Sequence, residues 1–244
     1  MDIVPSNLAG KVILVTGAAR RMGAGIAREL AARGARVAIH YGTREEEARR
    51  TAKECGDAPL FRADLVQVAE IERLMASVAD HFGRLDGLVN NAARFTELDP
   101  LAITEADWDF VHSVNLKATF FCCQQAAKRM LENGGGRIVN ISSLGGIRPW
   151  SRHAHYCASK AGVIMLTRAL AKAWAPDISV NSVAPGVVPF EETDEARIQQ
   201  FVRGTPARRA GTVDDVSEAV VFFLSTTKFI TAQVVAVDGG LSQK

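Results

Sequence analysis

Short runs of apolar and β-branched residues recur along the chain at Val12–Thr16, Arg36–His40, Leu85–Asn90, Arg137–Ile141, Ser179–Val183 and Val234–Val237. Each reads as a buried strand. Between them the apolar spacing becomes helical, as in Met22, Ile26 and Leu30, or Ile71, Leu74, Met75 and Val78. Strand and helix alternate, which predicts an α/β chain: a parallel sheet with helices on both faces, right-handed crossovers, and a ligand crevice at the carboxyl ends of the strands. No repeat, low-complexity tract or Pro/Gly/Ser linker divides the sequence, although a glycine turn at Gly134–Gly136 sits near its middle. Residues 1–244 are therefore expected to form one domain.

Composition narrows the function. Hydrophobic residues make up 48% and charged residues 23%, which excludes intrinsic disorder and leaves enough apolar side chain for a large core. Twenty-nine basic side chains face 27 acidic ones, and a net charge of +2 points to no nucleic-acid or membrane partner. Apolar runs such as Ala219–Leu224 fall well short of the roughly 20 residues that cross a bilayer, so a soluble chain is expected. The opening Met1–Ser6 has no basic stretch leading into an apolar one, from which a cytoplasmic location is expected. Cys55, Cys122, Cys123 and Cys157 form neither CxxC spacing nor a disulfide framework, and Cys122 and Cys123 read as buried small hydrophobes. The five histidines contain no HExxH or Cys/His cluster, so no metal site is expected.

Two places carry candidate chemistry. After the first strand comes Thr16-Gly17-Ala18-Ala19-Arg20-Arg21-Met22-Gly23, leading into a helix beginning near Met22. Glycines let main-chain N–H groups approach a pyrophosphate, and the helix N-terminus adds positive charge, so this corner suits a dinucleotide. The second strand ends His40-Tyr41-Gly42-Thr43-Arg44 without the carboxylate that would bind a ribose 2′-OH. Arg44 with Arg20 or Arg21 can instead reach a 2′-phosphate, which favours NADP over NAD. Asp64, beside Leu65, either accepts from the adenine amino group or caps the following helix.

The second place is Tyr156-Cys157-Ala158-Ser159-Lys160, where tyrosine and lysine share a helix face. An ammonium about 5 Å from a phenol, at an effective dielectric of about 20, is worth roughly 3 kcal/mol, about two pKa units, and with the positive ring of an oxidised nicotinamide added the phenol would become usable near pH 7 to 8. Ser142 and Ser143 end the fourth of the predicted strands, where either hydroxyl could polarise a carbonyl.

These motifs, in this order and spacing, resemble the short-chain dehydrogenase/reductase family over essentially the whole chain. The likeness rests on Thr16-Gly17 through Gly23, Asn90-Asn91-Ala92, Asn115, Ser143, Tyr156 with Lys160, Pro185-Gly186 and Asp238-Gly239-Gly240. The resemblance implies a Rossmann-type doubly wound fold with a seven-stranded sheet, and hydride transfer between NADP(H) and a carbonyl or secondary alcohol. It gives Ser143 the task of orienting the carbonyl, Tyr156 that of general acid or base, Lys160 that of binding nicotinamide ribose and lowering the tyrosine pKa, and Asn115 that of supporting a relay water. It brings Asn91, Ala92, Pro185 and Gly186 to the cofactor. It also implies a homotetramer or dimer through helices near Ala106–Met130 and Tyr156–Trp174, with Phe120, Phe121, Cys122 and Cys123 suited to interface burial.

Arg21 stands where the family usually has glycine. With His40-Tyr41, Arg44 and Phe95 it resembles the pteridine reductase branch, in which a flat pterin could stack on Phe95, a ring that could equally be core. That branch has an aspartate where this chain has Ser143, and the serine favours 3-oxoacyl-carrier-protein reductase or polyol dehydrogenase chemistry instead. Specificity is expected in Leu144–His155 and beyond Gly186, with Val187, Val188, Pro189 and Phe190 as an apolar lid and Glu191, Glu192, Thr193 and Asp194 as its polar rim. His153 and His155 read as exposed loop histidines. A non-catalytic nucleotide sensor on the same fold is the alternative of a different class.

Overall fold

The computed structural model describes residues 8–190 and 193–243. Seven strands form one all-parallel sheet: β1 (Val12–Val15), β2 (Arg36–Tyr41), β3 (Leu60–Arg62), β4 (Gly87–Asn90), β5 (Gly136–Ile141), β6 (Ile178–Pro185) and β7 (Val234–Val237). Their order is β3-β2-β1-β4-β5-β6-β7, with registers such as Val12 opposite Arg36 and Ile13 opposite Gly87. Six strands coincide with the apolar runs. The seventh, β3, has three residues, none of them buried, so it gives no apolar run to read and is held by pairing Ile39 with Leu60.

Side chains of each strand alternate between two cores, because successive Cβ atoms point to opposite faces of a sheet. Ile13, Val15, Val37 and Ile39 face helices α1 (Arg21–Ala32), α2 (Glu45–Glu54) and α8 (Val213–Ser225), through Ile26, Leu30, Ala48, Val216 and Val220. Val12, Leu14, Leu88, Ile138 and Val180 face α3 (Val68–Phe82), α5 (Thr119–Leu131) and α6 (Ala154–Trp174), through Leu74, Met75, Cys122, Cys123 and Leu170. The doubly wound Rossmann-type arrangement follows. Cys122 and Cys123 are thus used inside this chain's own core, and are not available to an interface as the family resemblance suggested.

Strand order reverses between β1 and β4, so the chain leaves in opposite directions there and opens the crevice at their carboxyl ends. Helix α4 (Glu105–His112) runs into α5 through a π-helical turn at Ser113–Ala118, and α7 (Glu195–Gly204) follows the segment after β6. No helix among the described residues is long and apolar enough to cross a membrane.

Candidate active site

The β1–α1 turn is held by side chains from three other places, Asn91, Thr51 and His40. Thr16 Oγ1 accepts from the N–H groups of Asn91 (3.0 Å) and Ala92 (3.1 Å), and Asn91 Nδ2 donates to Thr16 O and Gly17 O. Thr51 of α2 donates to Ala19 O, and Gly17 N–H donates to His40 Nδ1 at 3.0 Å. Gly17 has φ +63°, and a Cβ on Gly23 would lie 2.2 Å from Gly17 O and 2.5 Å from Asn91 Nδ2, so both positions need glycine. Helix α1 then begins at Arg21, with no side-chain cap at Arg20 and no acidic residue in its first turn. Its positive dipole end suits an anion.

Arg21 has φ +52°, a left-handed backbone where the family resemblance expects glycine, and its guanidinium lies 5.3 Å from the centre of the Phe190 ring. Burial, then Arg20 and Arg44, hold its pKa below the ordinary arginine value. Repulsion from Arg20 and Arg44 at Arg21, beside the uncapped N-terminus of α1, would be relieved by a phosphate-rich ligand. These residues fit a dinucleotide. Tyr41 is buried beside this corner, while Arg44 is exposed and ion-paired with Glu47 at 3.1 Å. Asp64 Oδ1 accepts from Val66 N–H at 3.0 Å in a local turn, and the N-cap position of α3 is held by Gln67, without a side-chain cap bond, so Asp64 does not cap that helix. Leu65 next to it is buried.

At the carboxyl end of β5 the two serines separate. Ser142 Oγ donates to Val183 O (3.1 Å) and accepts from Ser182 Oγ (2.7 Å), so it is spent between strands. Ser143 Oγ accepts from Gly145 N–H at 3.0 Å and hydrogen-bonds the Tyr156 hydroxyl. Lys160, one turn along α6, is buried; its Nζ donates to Ile141 O at 2.8 Å and lies 5.9 Å from the centre of the Tyr156 ring. Ser143, Tyr156 and Lys160 therefore meet at one place.

Their protonation differs from the sequence expectation. Burial pushes the Tyr156 phenol up to about 12, against the opposing Ser143 hydrogen bond, and burial brings Lys160 down to about 8. Desolvation of the phenolate dominates in the protein alone, whereas the expectation of a phenol usable near neutrality rested on the charges of Lys160 and a bound nicotinamide. Asn115 sits in the π-helical turn, fully buried. Its Oδ1 accepts from Arg94 N–H (2.7 Å), and its Nδ2 donates to Arg94 O (2.9 Å) and Ser159 Oγ (3.1 Å), while Ser159 donates to Tyr156 O. The side chain braces the strand of residues that carries Phe95, and its main-chain carbonyl accepts from Thr119.

Around Tyr156 the structure gathers further rings whose burial and contacts differ from their sequence reading. Phe95 is about half exposed rather than core, edge-on to the Tyr156 ring at 4.8 Å and stacked on His153 at 4.7 Å. Trp150 lies nearly parallel to the Tyr156 ring at 6.1 Å. His153 and His155 are buried, not exposed: His153 Nδ1 bonds Thr96 O, His155 Nε2 bonds Thr96 Oγ1, and burial holds the His155 pKa low. The only legible signal was the aromatic density of residues 150–156. On the far side, Gly186 N–H donates to Val237 O, which joins Pro185-Gly186 to the strand before Asp238. Val187–Phe190 continue from there, Thr193 Oγ1 accepts from Phe190 N–H, and Glu191 and Glu192 lie outside the described residues.

Elsewhere, a cavity of about 140 Å³ lies at the amino ends of β1, β4 and β5, away from Tyr156; its Lys11, Arg84 and Arg137 are already bonded to Asp86 or Thr226 O. Among the described residues no group of three or more His, Cys, Asp or Glu side chains could hold a metal.

The chain is similar to known proteins over nearly its whole length. The family model described as enoyl-(acyl carrier protein) reductase matches residues 17–242. A short-chain type dehydrogenase/reductase from Picea abies is 38% identical, with 96% of this chain and 93% of the relative aligned. A 3-oxoacyl-(acyl-carrier-protein) reductase from Staphylococcus aureus is 36% identical over 95% of this chain and 98% of its own. Among solved structures, an actinorhodin polyketide ketoreductase variant crystallised with NADPH superposes with a TM-score of 0.90 at 35% identity, covering 96% of this chain and 98% of that one.

Proposed function

The chain belongs to the short-chain dehydrogenase/reductase family, an oxidoreductase family, and we propose that it is an NADPH-dependent ketoreductase acting on a 3-oxoacyl or other small ketone. The observation that carries this reading is the buried meeting of Ser143, Tyr156 and Lys160 at the same sheet edge as an uncapped, arginine-flanked helix N-terminus.

Arg20, Arg21, Met22 and Gly23 would hold the pyrophosphate, Gly17 giving the turn its left-handed bend and leaving room for the cofactor, and Tyr41 and Arg44 with Arg20 the 2′-phosphate. Asp64 and Leu65 would meet the adenine, and Asn91, Ala92, Pro185, Gly186, Tyr156 and Lys160 the nicotinamide riboside. When bound, NADPH supplies the hydride that reaches the carbonyl carbon. Ser143 fixes the carbonyl oxygen through its hydroxyl, and Tyr156 gives that oxygen its proton. Because burial keeps the phenol protonated through neutral pH, Tyr156 holds ready the proton that reduction consumes. Lys160, brought down to about 8, can return a proton from behind it. Oxidation of the alcohol needs the phenolate and is favoured only at higher pH. The same reading includes cytoplasmic location, one domain, and a homotetramer or dimer, for which Trp108, Phe110 and Met165 leave apolar surface exposed on α4 and α6.

The half-exposed Phe95 beside Tyr156 supports a second reading, reduction of a pterin-like ring, against which stands Ser143 in place of a carboxylic acid. Oxidation of NADPH is to be followed with 3-oxoacyl thioesters, small ketones and quinonoid pterins. Tyr156→Phe is expected to lower kcat about a thousandfold while the NADPH dissociation constant stays within about twofold. Retained turnover removes Tyr156 from the chemistry, and NADPH binding without turnover of any substrate makes the protein a sensor.

A further inference from the structure

We infer that His40 is a positioning residue for the dinucleotide, its ring clamping the first N–H of the phosphate-binding turn so that the turn is already set when the cofactor arrives. The inference rests on the reading of that turn as the dinucleotide site.

His40 is the fifth residue of β2, and its side chain is almost wholly buried. Both ring nitrogens are engaged. Nε2 lies 3.1 Å from Ala63 O, and a carbonyl only accepts, so Nε2 carries the hydrogen. Nδ1 is then a bare acceptor, and it receives Gly17 N–H at 3.0 Å. The main chain adds a second grip, since Ala18 N–H donates to His40 O at 2.9 Å. One residue thus takes the first two N–H groups of the turn. Those groups therefore do not face a phosphate; they anchor the segment whose later N–H groups, at the start of α1, do.

The arrangement also joins three strand ends. Gly17 follows β1, His40 lies in β2 and Ala63 follows β3, so the ring fixes the phosphate turn relative to the Ala63-Asp64-Leu65 segment proposed to meet the adenine. A turn that is free to wander must be ordered on binding, and the lost freedom is subtracted from affinity. A turn already held by a neutral ring is not. Desolvation brings the His40 pKa down to about 4, so the ring stays uncharged and Nδ1 remains an acceptor at working pH.

The roles of the two nitrogens can be separated chemically. An asparagine amide oxygen occupies the place of Nδ1 and still accepts from Gly17 N–H, whereas a glutamine reaches toward Ala63 and leaves Gly17 unpaired. NADPH alone is titrated calorimetrically into the cofactor-free wild type and into His40→Asn, His40→Gln and His40→Leu. His40→Gln and His40→Leu are expected to weaken NADPH binding about tenfold, and His40→Asn by no more than about twofold. At saturating NADPH, kcat should stay within about twofold in all three, so the loss appears in the KM for NADPH. Ring ¹⁵N spectra of the wild type should show Nδ1 without hydrogen. Should the leucine variant fail to fold, the asparagine and glutamine pair still decides.

Equal NADPH affinity in His40→Asn and His40→Gln, or a hydrogen found on Nδ1, overturns the assignment. So does an equal fall in affinity and melting temperature in both, because that makes His40 a packing residue. A wild type that binds neither NADPH nor NADH overturns the dinucleotide reading itself and this inference with it; normal wild-type binding with indifferent variants overturns His40 alone.

Discussion

The two ends of the crevice are assembled in opposite ways. At the β1–α1 corner side chains hold main chain: His40, Thr51 and Asn91 spend polar atoms on the turn, and Thr16 Oγ1 ties its start to the N–H groups that follow β4. At the β5–α6 corner main chain holds side chains, Ile141 O gripping Lys160 and Gly145 N–H gripping Ser143. The difference decides what each end tolerates. A backbone site presents main chain rather than titrating side chains to its ligand, the neutral His40 ring lying behind it, but it has no room for a Cβ. A side-chain site accepts small changes of shape, but each functional group it buries carries a desolvation cost.

Gly23→Ala is the most severe test of the first half. The new Cβ would sit 2.2 Å from Gly17 O and 2.5 Å from Asn91 Nδ2, and the first contact is with backbone that cannot swing aside. Overpacking of this kind costs about 3 kcal/mol, so NADPH affinity should fall about a hundredfold. Calorimetric titration checks it. Tyr156 should keep its high pKa in the variant, and unchanged NADPH affinity would show that the turn is softer than a preset cradle.

Lys160→Met probes the second half and should move stability and activity in opposite directions. The ammonium is buried with one carbonyl for a partner and its pKa is brought down from 10.5 to about 8, so below pH 8 the fold carries a charge it disfavours. Replacing it by an isosteric thioether should stabilise the cofactor-free protein by roughly 2 kcal/mol at pH 7, a rise of several degrees in melting temperature, while turnover is lost. The sign with pH follows from proton counting. Between pH 8 and 10.5 the unfolded chain binds more protons at this lysine than the fold does, so wild-type stability gains with pH there, and the advantage of Lys160→Met should shrink toward zero by the top of that window. An advantage independent of pH would mean that packing, not charge, sets the difference.

The same contrast explains what the sequence disclosed. The backbone end was nearly all visible, because glycines between a buried run and a helical period state their own geometry, and six of the strands announce themselves by unbroken apolar runs. β3 did not, since its three residues are all at least partly exposed and its placement comes from pairing with β2. At the side-chain end the residue types were visible but their surroundings were not. Nothing local separates Ser142 from Ser143; the neighbouring strand does, by absorbing Ser142. His153 and His155 looked like loop residues until α6 and Thr96 closed over them. The π-helical turn that seats Asn115 leaves no mark in an apolar spacing that reads equally well as α-helix. Burial is a property of the assembled chain, and the pKa of Tyr156 went astray in the sequence estimate for that reason.

Cofactor choice tests whether the backbone end also discriminates by side chain, and here the expected effect is smallest. Arg44 is exposed and already paired with Glu47, so its contact with a 2′-phosphate would be a screened, charge-assisted hydrogen bond worth about 1 kcal/mol. Arg44→Ala should therefore raise KM for NADPH about fivefold and leave KM for NADH unchanged. The increase should fade at high ionic strength, because exposed ion contacts are screened within a Debye length of about 10 Å at 0.1 M salt. Equal weakening of both cofactors would place the effect in the start of α2 rather than at the phosphate. In that case discrimination falls to Arg20 and Arg21, which stand at the uncapped end of α1, and the backbone turn and the phosphate-reading cations become one structure instead of two.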